Sequence, residues 1–367
     1  MSTTLTCISG LRCKGPAAFV LETQGRRILL DFGRGPDHDA LPDIDRIGHV
    51  DALVLSHGHP DHCGALHLLE RIGTPPVFAT EWLLHRLGLE TRGCVLPAQG
   101  HAEVLGVPVE TGRTGHAPGG VWLRVGAGSG LLYTGDYCPS STLYAYDPPT
   151  PASMAVVDAS YGTDDADPDA GRQALLDLVR DGPCLLPAPP DGRGPEMAVF
   201  LHEAGLEVSL DAPVFETVRA LAANSPYVRP EMRAALARLA AAAVPLEAGS
   251  TPRGVMIAAG ASGASGLART LLDEWQGNAD VRFVFTGYVA AGTPAQKLIE
   301  RGRADWLRWH VHPTRGETQA LVERVGARQV IPAFTKHPEA LGLPGCDALP
   351  SDVYVVPDAV PFQGSRP

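Results

Sequence analysis

The run Ser56-His57-Gly58-His59-Pro60-Asp61-His62 constrains this chain more than any other stretch. It sets three histidines and one aspartate in the order His-x-His-x-Asp-His. Neutral imidazole nitrogens and a carboxylate oxygen are ligands for zinc and similar borderline divalent ions. The apolar stretch Ala52-Leu53-Val54-Leu55 directly precedes the run and reads as a buried strand. Ligands at the C-terminal end of such a strand sit where α/β sheets usually place their chemistry. Cys63 follows the run and reads as a small packing residue, because four better ligands precede it.

One tight cluster cannot fill two metal positions, and the later sequence supplies more ligands. His116 lies in Gly115-His116-Ala117-Pro118-Gly119-Gly120, a turn ahead of a strand, and Asp136 lies in Thr134-Gly135-Asp136, just past one. His337 follows the apolar run Val330-Ile331-Pro332-Ala333-Phe334. The sum is five histidines and two aspartates, enough for two divalent ions with one bridging carboxylate. Zinc is the first expectation and manganese the second. Two such ions lower the pKa of a shared water and stabilise the charge that develops on a phosphate. A lone histidine is more often a turn or surface residue, so it is order and context that single out His116 and His337. His38, His49, His67, His85, His101 and His202 lack that context and read as surface or packing residues.

The N-terminal third reads as short strands and tight turns. Residues 19–23 and 27–31 form one expected hairpin, and 121–125 with 131–133 a second. Residues 155–158 are another short buried strand. After about residue 165 strands alternate with helices, expected at 173–180, 197–204 and 231–243, which implies a parallel α/β unit. The tail returns to short strands with one helix at 317–325. A length of 367 residues suits about two domains. Apolar runs are short and broken by Gly or Pro, so no membrane span is expected. The first residues do not read as a secretory signal, and the cytoplasm is the expected location. The seven cysteines are scattered and read as reduced thiols. A formal net charge of −11 argues against coating nucleic acid by bulk electrostatics, but leaves room for a metal-dominated groove. Lysine occurs only at 14, 297 and 336, which reads as compositional bias.

The ordered ligand set resembles the metallo-β-lactamase fold, and later segments resemble its β-CASP nuclease branch. Asp158 in Asp158-Ala159-Ser160-Tyr161-Gly162 is similar to the acidic first β-CASP motif. Gly192-Arg193-Gly194-Pro195-Glu196 resembles the Gly-Arg-x-x-Glu segment that opens the inserted domain. Residues 286–293 resemble a Gly-Tyr-x-x-x-Gly-Thr segment near its end. His312, in His310-Val311-His312-Pro313, is similar to the second motif histidine, and His337 to the third. The resemblance implies an α/β protein, a four-layer αββα sandwich built from residues 1–170 and 297–367. An α/β β-CASP domain would be inserted at 171–296, with the site in the cleft between the two. It further implies that His57, His59 and His116 bind one metal, that Asp61, His62 and His337 bind the other, and that Asp136 bridges them. Asp158 would orient a ligand histidine through its free ring nitrogen. His312 would touch the scissile phosphate and protonate the leaving oxygen. Asp61, Asp158 and His312 are therefore the expected catalytic residues. Ser262 falls where the family has a phosphate-contacting loop. Asp31 is open between a support for the histidine loop and a plain turn residue, and Arg193 between a helix start and a phosphate contact.

Two motifs depart from the family pattern. The third is usually Val-His-Gly-Glu, and here it reads Phe334-Thr335-Lys336-His337-Pro338-Glu339. The second usually has Ser two positions before its His, where this chain has His310, so His310 competes with His312 and register favours His312. The implied activity is hydrolysis of phosphodiester bonds in single-stranded nucleic acid by hydroxide generated between two metals, leaving a 5′-phosphate. A histidine at the third motif resembles the RNA-processing members and an apolar residue the DNA-repair members, so His337 tilts the expectation to RNA. The rivals are a DNA-directed exonuclease, a catalytically inactive nucleic-acid-binding scaffold and a small-molecule metallohydrolase. The expected partner is single-stranded RNA or DNA, with no membrane partner, and a homo-oligomer is compatible with the sequence.

Overall fold

Side chains alternate between two buried sets along the early strands, and the layering follows from that. Phe19 and Leu21 of the strand Ala18–Thr23 join one apolar cluster while Ala18 and Val20 join another. Ile28 and Leu30 divide from Leu29 in the same way, as do Ala52 and Val54 from Leu53. Strand side chains point to opposite faces at period two, so a sheet apolar on both faces must be covered on both.

The computed structural model describes residues 2–128, 130–223, 225–346 and 352–357. Its first sheet has seven strands, in the spatial order Val353–Val355, Thr4–Ser9, Ala18–Thr23, Arg26–Leu30, Ala52–Val54, Val77–Thr80 and Gly93–Leu96. The second has six, in the order Gln329–Ala333, Met154–Asp158, Leu131–Tyr133, Val121–Val125, Val107–Arg113 and Gly100–Val104. Phe19, Leu21 and Leu30 from the first meet Leu123, Leu131, Tyr133, Val156 and Ile331 from the second in one shared core. The helices Ile44–Ile47 and Glu81–Arg86 cover the outer face of the first sheet through Ile44, Ile47, Leu83 and Leu84. The helix Arg315–Val325 covers the second through Leu321, Val322 and Val325. That helix starts with a capping box between Thr314 and Glu317 and stops at Gly326, whose φ is 65°. Helix, sheet, sheet and helix make the expected αββα sandwich.

A third sheet of six parallel strands lies in the interrupting segment, in the order Val244–Pro245, Val208–Leu210, Val255–Ala259, Cys184–Ala188, Arg282–Phe285 and Asp305–Trp306. Cys184 and Leu186 face one cluster and Leu185 the other, so this sheet too is buried on both faces. It reaches past residue 296, because the helix Pro294–Glu300 leads into a final strand that pairs with Val284 and Phe285. Among the described residues, no helix is long and apolar enough to cross a membrane.

Three parallel strands of the second sheet end at one edge, with Tyr133 opposite Val156 and Asp158 opposite Ala333. The turns beyond them carry Asp136, Asp158 and Phe334. The turns after Ala52–Val54 and Val107–Arg113 add the histidine run and His116.

Candidate metal centre

Beyond the strand Ala52–Val54 the chain bends at Ser56 and Gly58 before His59, the N-cap of the short helix Pro60–Cys63. Proline at the first helical position presets the helical φ, so the helix starts at that point. His57 and His59 lie on the arm before the helix, with Asp61 and His62 in its first turn. His57, His59, His116 and Asp136 each offer a ligand atom, all within 4.8 Å of one another. Asp61, His62 and Asp136 form a second such group, and Asp136, Asp158 and His312 a third. Asp136 belongs to all three. Its Oδ2 lies 3.7 Å from His57 Nε2 and 3.6 Å from His116 Nε2, and its Oδ1 lies 3.2 Å from His62 Nε2.

The hydrogen bonds around the cluster settle which ring nitrogen faces it. His116 Nδ1 donates to the Val311 carbonyl at 2.5 Å, and His62 Nδ1 donates to Asp31 at 2.6 Å. Ser56 Oγ gives its one proton to Asp31 at 2.7 Å, so it accepts from His57 Nδ1 at 3.1 Å. In all three rings Nε2 is the nitrogen turned toward Asp136, and in His62 burial is outweighed by Asp136 and Asp31, which hold that imidazole well above its usual range. His116 Nε2 also lies 2.9 Å from His59 Nδ1, two nitrogens gathered at one point. His57 Nε2, His59 Nε2, His62 Nε2 and Asp136 Oδ1 are buried without a hydrogen-bond partner. Buried polar atoms are normally paired, so the unpartnered His57 Nε2, His62 Nε2 and Asp136 Oδ1, with His59 presenting Nδ1 to the same centre, fit a divalent ion. Burial pushes His57, His59 and His116 below the usual imidazole range, which keeps them neutral, as ligands must be. Burial pushes Asp136 the other way, but His62, Lys14 and His312 outweigh it and hold the carboxyl well below its usual range.

Asp31 is no plain turn residue. It is fully buried and accepts from Ser56 N, Ser56 Oγ, His62 Nδ1 and the Tyr133 hydroxyl. Asp158 accepts from Ser160 N at 2.9 Å and from His312 Nδ1 at 2.8 Å, so the ring it orients is His312 rather than an expected metal ligand. His310 and His312 both pack edge-on to Tyr161, with ring centroids 5.4 and 5.1 Å away, but only His312 joins Asp136 and Asp158 in a ligand group. Cys63 donates its thiol to the Gly58 carbonyl at 3.4 Å, and burial pushes that thiol up to about 12. Ser262 lies between the strand Val255–Ala259 and the helix Gly266–Trp275, where its carbonyl accepts from Ala295. It joins none of the three ligand groups.

His337 requires a correction. Its side chain is 78% exposed, and the carboxylate beside it is Glu339, at 3.6 Å. The strand Gln329–Ala333 ends one residue before Phe334, and it is Phe334 whose ring comes against His62, with centroids 5.0 Å apart. The further step to His337 carries the chain past the centre to the surface. The tilt toward RNA that rested on His337 loses its premise. Sequence reasoning also missed Lys14, whose Nζ lies 2.8 Å from Ser160 Oγ and 3.3 Å from His312 Nε2. A single lysine in Cys13-Lys14-Gly15-Pro16 carries no ligand signal. Arg193 opens the helix Arg193–Glu203 with a buried guanidinium whose Nε has no partner, and burial pushes its pKa down to about 10.

Residues 11–185 match the Metallo-beta-lactamase superfamily. Those residues form a metallo-β-lactamase domain. It is 27% identical over 232 residues to cleavage and polyadenylation specificity factor 73 of Drosophila melanogaster, a match spanning 52% of this chain and 34% of that one. It is 24% identical over 344 residues to endoribonuclease ysh1 of Schizosaccharomyces pombe, spanning 77% of this chain and 45% of that protein. An RNase J-like protein of Methanocaldococcus jannaschii is 46% identical over 52 residues, 14% of this chain and 12% of its own. The matches thus span less than half the length of these relatives. A crystal structure of a protein of unknown function from Enterococcus faecalis V583 superposes with a TM-score of 0.62 over 97% of this chain and 100% of that one, at 14% identity. That likeness bears on the fold alone.

Proposed function

We propose that this chain is a metal-dependent phosphodiesterase that hydrolyses single-stranded nucleic acid, RNA ahead of DNA. The observation that carries the reading is Asp136, one buried carboxylate shared by two ligand groups and by the Asp158–His312 pair. In this reading His57, His59 and His116 hold one divalent ion and Asp61 and His62 a second, with Asp136 between them. Zinc is the first choice and manganese the second. Ions held there supply a water of lowered pKa and a Lewis acid for the phosphoryl oxygen. Asp158 holds His312 by its Nδ1, which leaves Nε2 as the ring atom to meet the leaving oxygen. The buried guanidinium of Arg193, whose Nε has no partner, favours an anionic substrate, since a buried cation needs a counter-charge. The inserted segment, taken as 171–296, forms the other wall of the cleft. The preference for RNA rests on the names of the relatives, among them an endoribonuclease and an RNase J-like protein.

A second reading, a DNA-directed exonuclease, is favoured by Phe334. It sets an apolar ring beside His62 where RNA-processing members are expected to carry a histidine. Matched single-stranded RNA and DNA, end-labelled and supplied with zinc or manganese, separate the two. The expected result is faster cleavage of RNA with 5′-phosphate products, and loss of at least about 10²-fold in His59→Ala. Faster cleavage of DNA transfers the reading to the rival. Undiminished activity in His59→Ala refutes the metal-centred account. Less than one ion per chain with no cleavage makes the chain a binding scaffold.

A further inference from the structure

We infer that Tyr288 and Trp306 form a shelf beside the metal centre on which bases of a single-stranded nucleic acid stack. The inference rests on the nucleic-acid reading above and deepens it, because it says how a strand is gripped away from the metals. Among the described residues these are the only exposed Phe, Tyr or Trp side chains, at 47% and 45%. Both adjoin Gly287. Tyr288 follows it in the chain, and Trp306 Nε1 donates to its carbonyl at 2.9 Å. Each ring is anchored at its polar edge, Trp306 by that bond and Tyr288 by its hydroxyl, which donates to Asp37 Oδ2 at 2.7 Å. An anchored edge fixes where a ring stands and leaves its face as apolar contact area. A ring already fixed loses little freedom when a base lies on it.

Both rings connect to the metal centre. The Arg308 guanidinium lies 5.5 Å from the Trp306 ring and 4.4 Å from the Tyr161 ring, and Tyr161 stands edge-on to His312 with centroids 5.1 Å apart. On the other side, Pro36, just before Asp37, and Asp61 both flank Gly15, whose Cβ would stand 3.6 and 3.2 Å from them. A cation lies against the same peptide. A Cβ on Gly287 would stand 1.9 Å from Arg193 Nη1, so glycine lets the backbone between the two rings rest on that guanidinium. Arg308 is paired with Asp164, whereas Arg193 is 8% exposed, its Nε has no partner, and no carboxylate pairs with it among the described residues. A cation for the backbone and aromatic faces for the bases are the two parts of a single-strand binding surface. A net charge of −11 gives no long-range attraction for a polyanion, so affinity has to come from contacts such as these.

The test is binding by the full chain, treated with chelator so that nothing is cleaved, with folding checked by circular dichroism. The probes are a short single-stranded oligonucleotide and a strand of the same length whose sugars carry no bases. Tryptophan fluorescence and the anisotropy of end-labelled strands are the readouts. The base-bearing strand should bind wild type at least about tenfold more tightly than the abasic one and quench the fluorescence of Trp306. Trp306→Ala and Tyr288→Ala should each weaken the base-bearing strand about tenfold and leave the abasic strand unchanged. Trp306→Phe and Tyr288→Phe keep a ring and should keep most of the affinity, and Trp306→Phe should lose the quench. Equal binding of the two strands by wild type, or binding of neither, overturns the inference whether or not any variant folds. So does a base-bearing strand that binds the alanine variants as tightly as wild type. Phenylalanine variants as weak as the alanine ones overturn it too, because the polar anchors and not the ring faces would then carry the affinity. Base-dependent binding by a chain that, supplied with metal, cleaves neither RNA nor DNA would sink the nuclease reading and leave the shelf standing. Cleavage with base-independent binding would do the reverse.

Discussion

Asp31 holds a φ of 58°, a backbone conformation that side-chain-bearing residues seldom adopt, and uses it to collect four donors. Both histidines that flank Asp136 from this loop are oriented through it, His62 directly and His57 by way of Ser56. In Asp31→Asn the amide cannot accept from all of them, and the His62 ring loses the carboxylate that fixes its tautomer. Metal affinity should fall roughly 10- to 100-fold, read by chelator competition. Gly33 supports the same loop sterically, because a Cβ there would stand 1.7 Å from the Asp61 carbonyl oxygen. Gly33→Ala should therefore lower stability by about 1–3 kcal/mol in urea unfolding and displace Asp61 with it. At this scale the histidine run was legible because its chemistry is specific to metals. Asp136 was legible because it closes an apolar run, and His116 because its turn opens one. Phe334 and Lys14 were not, because a phenylalanine reads as core and a lysine beside Gly-Pro as turn. The misreading of His337 came from counting register past a strand end, where one residue decides which side chain faces inward.

In the helix Arg193–Glu203, Glu196 reaches two distant segments of the chain. Glu196 Oε1 accepts from Ser141 Oγ at 2.7 Å and from the amides of Thr142 and Leu143, and Oε2 accepts from Trp309 Nε1 at 3.1 Å. It thereby ties the segment beyond Asp136 to the segment before His312. Glu196→Gln would turn an amide N–H toward either the Trp309 donor or the backbone donors, leaving a buried donor unmatched. We predict a loss of about 1–3 kcal/mol in guanidinium unfolding, with wild-type-like far-ultraviolet circular dichroism. Elements were legible where a period could be counted. The helices expected at 173–180, 197–204 and 317–325 appear as Pro168–Val179, Arg193–Glu203 and Arg315–Val325. The helix Ala212–Ala222 went unread, although Asp211 caps it and Pro213 sits in its first turn. The strand Asp305–Trp306 offers no period at all, since two residues cannot display alternation.

At the scale of the molecule, the ligand groups draw on both sheets of the sandwich. His57 to His62 follow a strand of the first, and His116 and Asp136 follow strands of the second. A divalent ion at this edge therefore binds the folded chain and not the unfolded one. Free metal at 100 times its dissociation constant should add about 2.7 kcal/mol to apparent stability, and chelation should remove it. Thermal melts of His59→Ala should show little of that difference. The broad plan was legible because the two regions follow different rhythms, alternation in the sandwich and strand–helix repetition in the insertion. The far boundary of the third sheet was not, because its last strand is too short to announce itself.

The hydrogen bond between Asp158 and His312 has a topological meaning as well. Asp158 ends a sandwich strand, and His312 follows the last strand of the third sheet, so one contact of 2.8 Å closes the whole intervening chain into a loop. Closure entropy grows only with the logarithm of loop length, so the sandwich is nearly indifferent to how large that loop becomes. The third sheet can lengthen or shrink without loosening the edge it hangs from. The aim of the His312 ring thus depends on a closure that Tyr288, through Asp37, and Arg308, through Asp164, also help to hold.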